Sequence, residues 1–382
     1  MRYPPFLFVL AGLFAMGPTD GNSARYVSVT FADLPGWAED DHVAALAAFR
    51  QACEAAPKGG SPKARDALAQ ICAKAKGLAS GEAAKPAKAR DFFEAHFEPA
   101  RVVHDRPDGL LTGYYEPELT GSLMPDAKHK VPVLGRPEDL VDVVPATERA
   151  KANAEGRLAS MRKTATGLEP YFTRAEITAG ALAGRGLELL YLENPVDAYL
   201  MHVQGSGTIR LTDGRRVRIG YAGKNGYPYT SAGTVLIRMG VIKREALTMQ
   251  SMRDWLLAHP RQAKDVLNEN KSYIFFEPKP EADGKSGPLG GHGTPLTPRR
   301  SLAIDPSFHT LGAPVFVASE TLRDDQGKLF RHLMIAQDVG SAIHGPERGD
   351  IFWGTGALAE AIAGRTKDRG HIFTLLPRPD AP

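Results

Sequence analysis

Hydrophobic spacing divides this chain into parts. Up to residue 98 apolar side chains recur every three or four positions. Val43, Leu46, Phe49 and Cys53 predict a helix over 40–57, Leu68 and Cys72 one over 63–78, and Phe92, Phe93 and Phe97 one over 88–98. From Leu110 the pattern shortens. Apolar runs at 189–191, 198–203, 208–211 and 217–221 alternate with turn residues and predict strands, and Asp213 with Gly214 between the last two marks a hairpin. Residues 136–160 are charged and polar, an excursion or a helix. Helical spacing returns over 232–239, 243–259 and 261–268, where Met249, Met252, Trp255 and Leu256 share a face. A stretch rich in glycine and proline, 278–298, marks a boundary or long loop. Strands resume at 301–304, 314–319, 330–337, 350–353 and 371–376, with one helix at 357–363.

At the N-terminus, Arg2 precedes an apolar run over 6–16 that is too short to span a bilayer and fits the core of an export signal, with residues 1–24 as the signal and a break after Ala24. Export makes a disulfide between the only two cysteines, Cys53 and Cys72, a natural expectation. It would staple two antiparallel helices and stabilise their hairpin by about 3 kcal/mol; the alternative is two buried thiols. Two cysteines without a nearby histidine pair do not make a zinc cage. With 382 residues, 43% of them hydrophobic and 24% charged, the chain can build two or three domains. The 47 basic and 44 acidic residues nearly balance, which gives no case for nucleic acid as a partner.

The densest chemistry lies at 337–356, QDVGSAIHGPERGDIFWGTG. Asp338 and Asp350 bracket a glycine-rich loop, and Phe352 and Trp353 follow. Carboxyls beside aromatic rings suit glycosidic cleavage, because an apolar wall raises a carboxyl's pKa and keeps its proton available near neutrality. Turn capping is the plainer reading of both aspartates. Three further segments bear on the choice: LLTGYYEPE at 110–118, MHVQGSGTIRLTDGRRVRIGYAGKNG at 201–226 and PLTPRRSLAIDPSFHTLGAPVFV at 295–317.

Together, in this order, the four segments resemble the membrane-bound lytic murein transglycosylase A family, over about residues 40–377. The resemblance implies a mainly β, α+β fold. A double-psi β-barrel domain with N-terminal helices, from 25–115 plus 281–382, would carry an inserted β domain at 116–280, with a cleft between them. It implies cleavage of the MurNAc–GlcNAc bond of peptidoglycan strands by a monomeric lyase that needs no cofactor or metal, with cell-wall synthesis or division proteins as further partners. The family's best-known members are lipoproteins anchored by a cysteine after the signal. Here no cysteine lies near the N-terminus, so a periplasmic protein, or one tethered by an uncleaved signal, is expected.

By similarity Asp350 matches the catalytic acid/base, and Asp338 and Asp305 match the family's other two aspartates. Asp338 is expected beside Asp350 or as an anchor for backbone amides; Asp305, before Pro306, reads as a turn residue. The loop between Asp338 and Asp350 is one residue longer than in enterobacterial members, with Ser341 where glycine is usual. Expected substrate contacts are Tyr114, Tyr115, Gln204, Gly205, Ser206, Gly207, Lys224, Asn225, Asp305 and Trp353. Tyr114 and Tyr115 must point to opposite sides of a strand, so only one of them faces a cleft. Lys224 is a candidate for contacting a lactyl or peptide carboxylate; Arg299 and Arg300 could do the same, but solvated arginines near a boundary are the plainer expectation. His309 and His344 lack partners for a nucleophile triad. Competing readings are an inverting glycosidase with Asp350 as acid and Asp338 as base, a glycan-binding protein without turnover, and a divalent metal held by Asp305, Asp338 and Asp350.

Overall fold

The computed structural model describes residues 25–104, 109–145, 148, 152, 155–279, 287–324, 327–340 and 342–378. The export-signal expectation and Ser341 lie outside the described residues. Asp41 and Ser61 cap the first two helices, α1 (His42–Ala52) and α2 (Pro62–Gly77), by accepting backbone N–H bonds that the first turn would otherwise leave unmade. Cys53 and Cys72 form a disulfide that joins these helices. After α3 (Ser80–Ala83) and α4 (Pro86–His96), the rings of Phe49, Phe92, Phe93 and Phe97 meet at centroid distances between 5.6 and 6.2 Å. This helical layer is buried against Phe316, Leu333, Ile335, Phe373 and Leu375.

Those five residues sit on the outside of a closed ring of strands. Strand β1 (Arg25–Ser28) pairs with β2 (Phe97–Val103), which pairs with β17 (Lys367–Pro377). From β17 the ring runs through β14 (Pro314–Arg323), β15 (Leu329–Asp338), β13 (Ser301–Ala303), β16 (Arg348–Thr355) and β3 (Leu110–Glu116), and β3 closes it by pairing with β17. The β13–β15 and β16–β3 pairs are parallel and the other four antiparallel. Alternate side chains fill the interior, among them Leu111, Tyr115, Leu302, Val315, Val317, Phe330, Met334, Ala336, Ile351, Trp353 and Ile372. Helix α10 (Ala357–Ala363) closes one end through Ala359 and Ala363.

The chain leaves the ring at Pro117 and builds a second sheet. Its order is β12 (Ile274–Lys279), β11 (Arg216–Lys224), β10 (Ser206–Leu211), β4 (Glu118–Ser122), β9 (Glu188–Leu192) and β5 (Val131–Leu134). The Asp213–Gly214 turn joins β10 to β11 in an antiparallel hairpin. Strands β6 (Leu140–Asp142), β7 (Ser160–Thr164) and β8 (Gly167–Pro170) form a small third sheet; β6 lies within the charged stretch 136–160 and β7 begins at its end, while much of its middle lies outside the described residues. Where the two sheets meet, the Glu116 carboxylate at the end of β3 pairs with the Arg218 guanidinium of β11 at 2.9 Å, and the glutamate is fully buried.

Helices flank the second sheet: α5 (Arg174–Thr178), α6 (Pro195–Gln204), α7 (Ala232–Arg238), α8 (Met249–Ala258) and α9 (Pro260–Asn268). Helix α6 corrects the strand expected over 198–203. Asn194 caps it by accepting the Asp197 N–H, Pro195 opens its first turn, and Gly205 ends it in the left-handed region at φ +79°. Start and stop signals therefore outweigh the apolar run between them. Among the described residues no helix is long and apolar enough to cross a membrane.

Candidate active site

Strand alternation decides which side chains meet outside the ring. In β13, Leu302 points inward and Ala303 outward. Ala303 is the register partner of Asp338 on β15 and of Asp350 on β16. Cross-strand partners share a face, so the two aspartates flank one methyl group, their backbones about 10 Å apart at the usual strand spacing. Strand β3 extends the row, with Thr112 opposite Asp350 and Tyr114 opposite Phe352.

Asp338 reaches this face through a bulge. Leu333 and Ile335 on β15 face the helices, and Met334 and Ala336 face the interior, so strict alternation would send Asp338 inward. The register instead slips between Leu302 and Ala303, leaving Gln337 as the extra residue. Gln337 is fully buried: its Oε1 accepts from Ser301 Oγ at 2.6 Å, and its Nε2 donates to Thr294 Oγ1 at 2.9 Å and Pro295 O at 3.1 Å.

The two carboxyls are held differently. Asp338 Oδ1 accepts the N–H groups of Gly291 at 2.7 Å and Val339 at 2.9 Å, and its Oδ2 accepts the Tyr114 hydroxyl at 2.9 Å. Asp350 Oδ1 accepts the Thr112 hydroxyl, which in turn accepts an N–H from Arg348 at 2.8 Å. Tyr114, Leu296, Ala303, Ile343 and Phe352 form the apolar surroundings, with Tyr114 and Phe352 ring centroids 5.3 Å apart. Burial raises the Asp350 pKa above the ordinary carboxyl value, and the Arg348 charge and Thr112 hydroxyl reverse only part of that. Asp338 is also raised, first by burial and further by the Asp350 charge, against the pull of its three donors. Burial beside these carboxyls pushes the Tyr114 phenol well up, so it remains a donor.

The remaining expected residues are dispersed. Tyr115 faces the ring interior, and its N–H donates to Gln204 Oε1 at 3.0 Å, so Gln204 ties α6 to β3. Gly205 ends α6, Ser206 is buried, and a Cβ on Gly207 would come within 2.7 Å of the Met201 sulfur. Lys224 closes β11. Asn225 is fully buried: its amide donates to Phe172 O and Lys271 O, and its oxygen accepts the Tyr273 N–H, all at 2.8 Å. Its polar capacity is thus taken up by backbone.

Trp353 lies inside the ring beside Phe330, and Phe352, not Trp353, shares the face of Asp350. Asp305 is buried, with Oδ1 on the Ser307 N–H at 3.0 Å and Oδ2 on the Gly345 N–H at 2.8 Å. It pins the loop between the other two aspartates rather than joining them. Among the described residues no three histidine, cysteine, aspartate or glutamate side chains are grouped to hold a metal.

Arg300 corrects the expectation of a solvated arginine. It is 6% exposed, its guanidinium donates to both oxygens of Asp40 at 2.8 and 2.9 Å, and Asp40 also accepts from His332 at 2.8 Å and from the Leu333 N–H at 2.7 Å. Thr112, Arg348 and Gly291 were not among the expected site residues. Alternation offered a signal for the first two, since each lies two positions from Tyr114 or Asp350 in a strand. Gly291 gave none, because it arrives from a loop: Lys58 donates to the carbonyls of Gly291 at 3.4 Å and His292 at 2.9 Å.

Residues 110–277 match the family described as "MltA specific insert domain", and residues 300–376 match the "3D domain". A membrane-bound lytic murein transglycosylase A from Vibrio cholerae is 34% identical over 271 residues, 70% of this chain and 65% of that protein. The Escherichia coli K12 protein of the same name is 38% identical over 215 residues, 55% of this chain and 57% of its own length. The chain thus matches under two thirds of the length of either relative. The crystal structure of a membrane-bound lytic murein transglycosylase from Agrobacterium tumefaciens superposes with a TM-score of 0.81 at 34% identity, covering 92% of this chain and 98% of that one. E. coli MltA with bound chitohexaose superposes at 0.65 with 25% identity, covering 94% of each chain. With both family segments present in order and a structural relative matched almost end to end, the chain belongs to the membrane-bound lytic murein transglycosylase A family.

Proposed function

We propose that this chain is a lytic transglycosylase that cleaves the β-1,4 bond between MurNAc and GlcNAc in peptidoglycan and leaves a 1,6-anhydro-MurNAc end. The observation that carries the reading is the Asp350 carboxyl, raised in pKa by burial on an outer barrel face and hydrogen-bonded to Thr112. A raised pKa keeps the acid protonated long enough to protonate the bridging oxygen as positive charge builds on the muramic ring. The resulting carboxylate then takes the proton from the ring's own C6 hydroxyl as that oxygen attacks the anomeric carbon. The attacking group is already tethered, so little translational freedom is lost.

Asp338 positions and biases rather than activating water. Both its oxygens already accept protein donors, which disfavours the inverting alternative. It stands in the same row as Asp350, and two like charges there disfavour ionising both carboxyls, which helps the pair retain a proton. The E. coli relative solved with chitohexaose supports a glycan as the ligand here. The closed six-strand ring with two parallel pairs supports a double-psi barrel formed by 25–115 plus 281–382, with 116–280 as an insert, because each sheet draws its strands from one of these portions. Periplasmic action follows from the substrate and agrees with the disulfide.

The test is mass spectrometry of fragments released from purified sacculi by the wild type and by Asp350→Asn. Anhydro ends from the wild type, with a loss of more than about 100-fold in the variant, support the proposal. Reducing ends, or unchanged release by Asp350→Asn, refute it.

A further inference from the structure

The hydrogen bonds around Asp350 have a direction. A guanidinium has donors only, so the Arg348 N–H, 2.8 Å from Thr112 Oγ1, fills one lone pair of that hydroxyl. The hydroxyl has one hydrogen, which goes to Asp350 Oδ1. Arg348 is held in turn, its other N–H group donating to the carbonyls of Gly349 at 2.6 Å and Leu110 at 3.4 Å. Among the described residues Asp350 Oδ2 takes no hydrogen bond. We propose that Arg348, acting through Thr112, is a positioning residue that confines the catalytic proton of Asp350 to Oδ2 and aims that oxygen at the glycosidic bond. This rests on the reading of Asp350 as the acid.

Protonating Oδ1 instead would turn the Thr112 hydrogen away from its acceptor, toward a guanidinium that cannot accept it. An unmade bond in a buried site is disfavoured. The relay therefore leaves one oxygen permanently occupied and the other free to exchange its proton with substrate. The charged and titratable groups facing Asp350 are Arg348 on its own strand, Asp338 on β15 and Tyr114 on β3. Only Arg348 is a cation, and it opposes the rise due to burial. Its removal would keep the acid protonated to higher pH.

The experiment compares Arg348→Gln, Arg348→Lys, Thr112→Val, the Arg348→Gln/Thr112→Val double variant and Asp350→Asn on solubilised glycan strands at saturating substrate, each checked by thermal melting. Arg348→Gln and Thr112→Val should each lower kcat about tenfold, and the double variant should fall no further than Thr112→Val alone. The alkaline limb of the pH profile should move up in Arg348→Gln and stay in place in Arg348→Lys. Additive losses in the double variant, or an unmoved alkaline limb in a folded Arg348→Gln protein, overturn the relay. Turnover by Asp350→Asn at the wild-type rate overturns instead the assignment of the acid, so the two failures are distinguishable.

Discussion

Replacing Asp40 by asparagine should loosen the helical layer from the barrel. The Asp40 side chain is shielded from solvent and accepts four bonds, two from Arg300, one from His332 and one from the Leu333 amide. Asparagine keeps the shape but turns an N–H₂ group toward donors and strands the Arg300 charge, 6% exposed, without a counter-ion. Removing one member of a buried pair costs about 3–5 kcal/mol. With an unfolding entropy of roughly 2.1 cal/mol/K per residue, a chain of 382 residues shifts by only about 1.25 °C per kcal/mol, so the melting temperature should drop by about 4–6 °C.

The pH dependence carries the sign of the effect. Burial alone would raise the Asp40 pKa, but the bonds from His332 and Arg300 outweigh it and hold the carboxyl far below the ordinary value. Its stabilisation is therefore complete above the unfolded value of about 3.9 and is lost as pH falls further. Melting curves of wild type and Asp40→Asn should differ most near neutrality and converge below about pH 4. Coincident curves at pH 7, or a gap of constant size down to pH 3, would refute the account.

Asp350→Asn should melt at or a little above the wild-type temperature while losing turnover. The raised Asp350 pKa means that ionising this carboxyl erodes stability as pH rises through and above 4; a lower melting temperature at pH 8 would contradict this. Changing Cys53 and Cys72 to serine should remove about 3 kcal/mol, read by urea denaturation, with equal midpoints as the contrary result. Gly113→Ala would set a Cβ 2.5 Å from the Trp353 indole nitrogen and 2.8 Å from the Ala363 backbone, destabilising by about 1–3 kcal/mol. An unshifted melt would show that the barrel yields there.

Much of the frame was legible in the residues. Helix spacing around Phe49 and Phe92, the Asp213–Gly214 turn and the helix over 357–363 all rest on local signals, and local signals survive in the fold. The Tyr114 and Tyr115 pair illustrates the same point, since alternation alone separates their faces. What local patterns missed depends on distant partners. Periodicity sends Asp338 into the barrel, and only the bulge at Gln337, held by Ser301 and Thr294, turns it outward. Arg300 looked solvated because its carboxylate lies far away in sequence at Asp40. Asn225 looked available for sugar because the backbone groups that engage it come from two other segments.

Ala303 has a bearing on how such sites diverge. Because it is the common neighbour of Asp338 and Asp350, the gap between the carboxyls is gauged across the sheet, not along the connecting loop. Residues added to or deleted from that loop are thus free to vary in length and composition without retuning the gap, provided the tether from Asp305 to Gly345 is kept. A bulkier residue at 303, by contrast, would act as a wedge between the two acids, so this small, chemically inert side chain sets their spacing by its size.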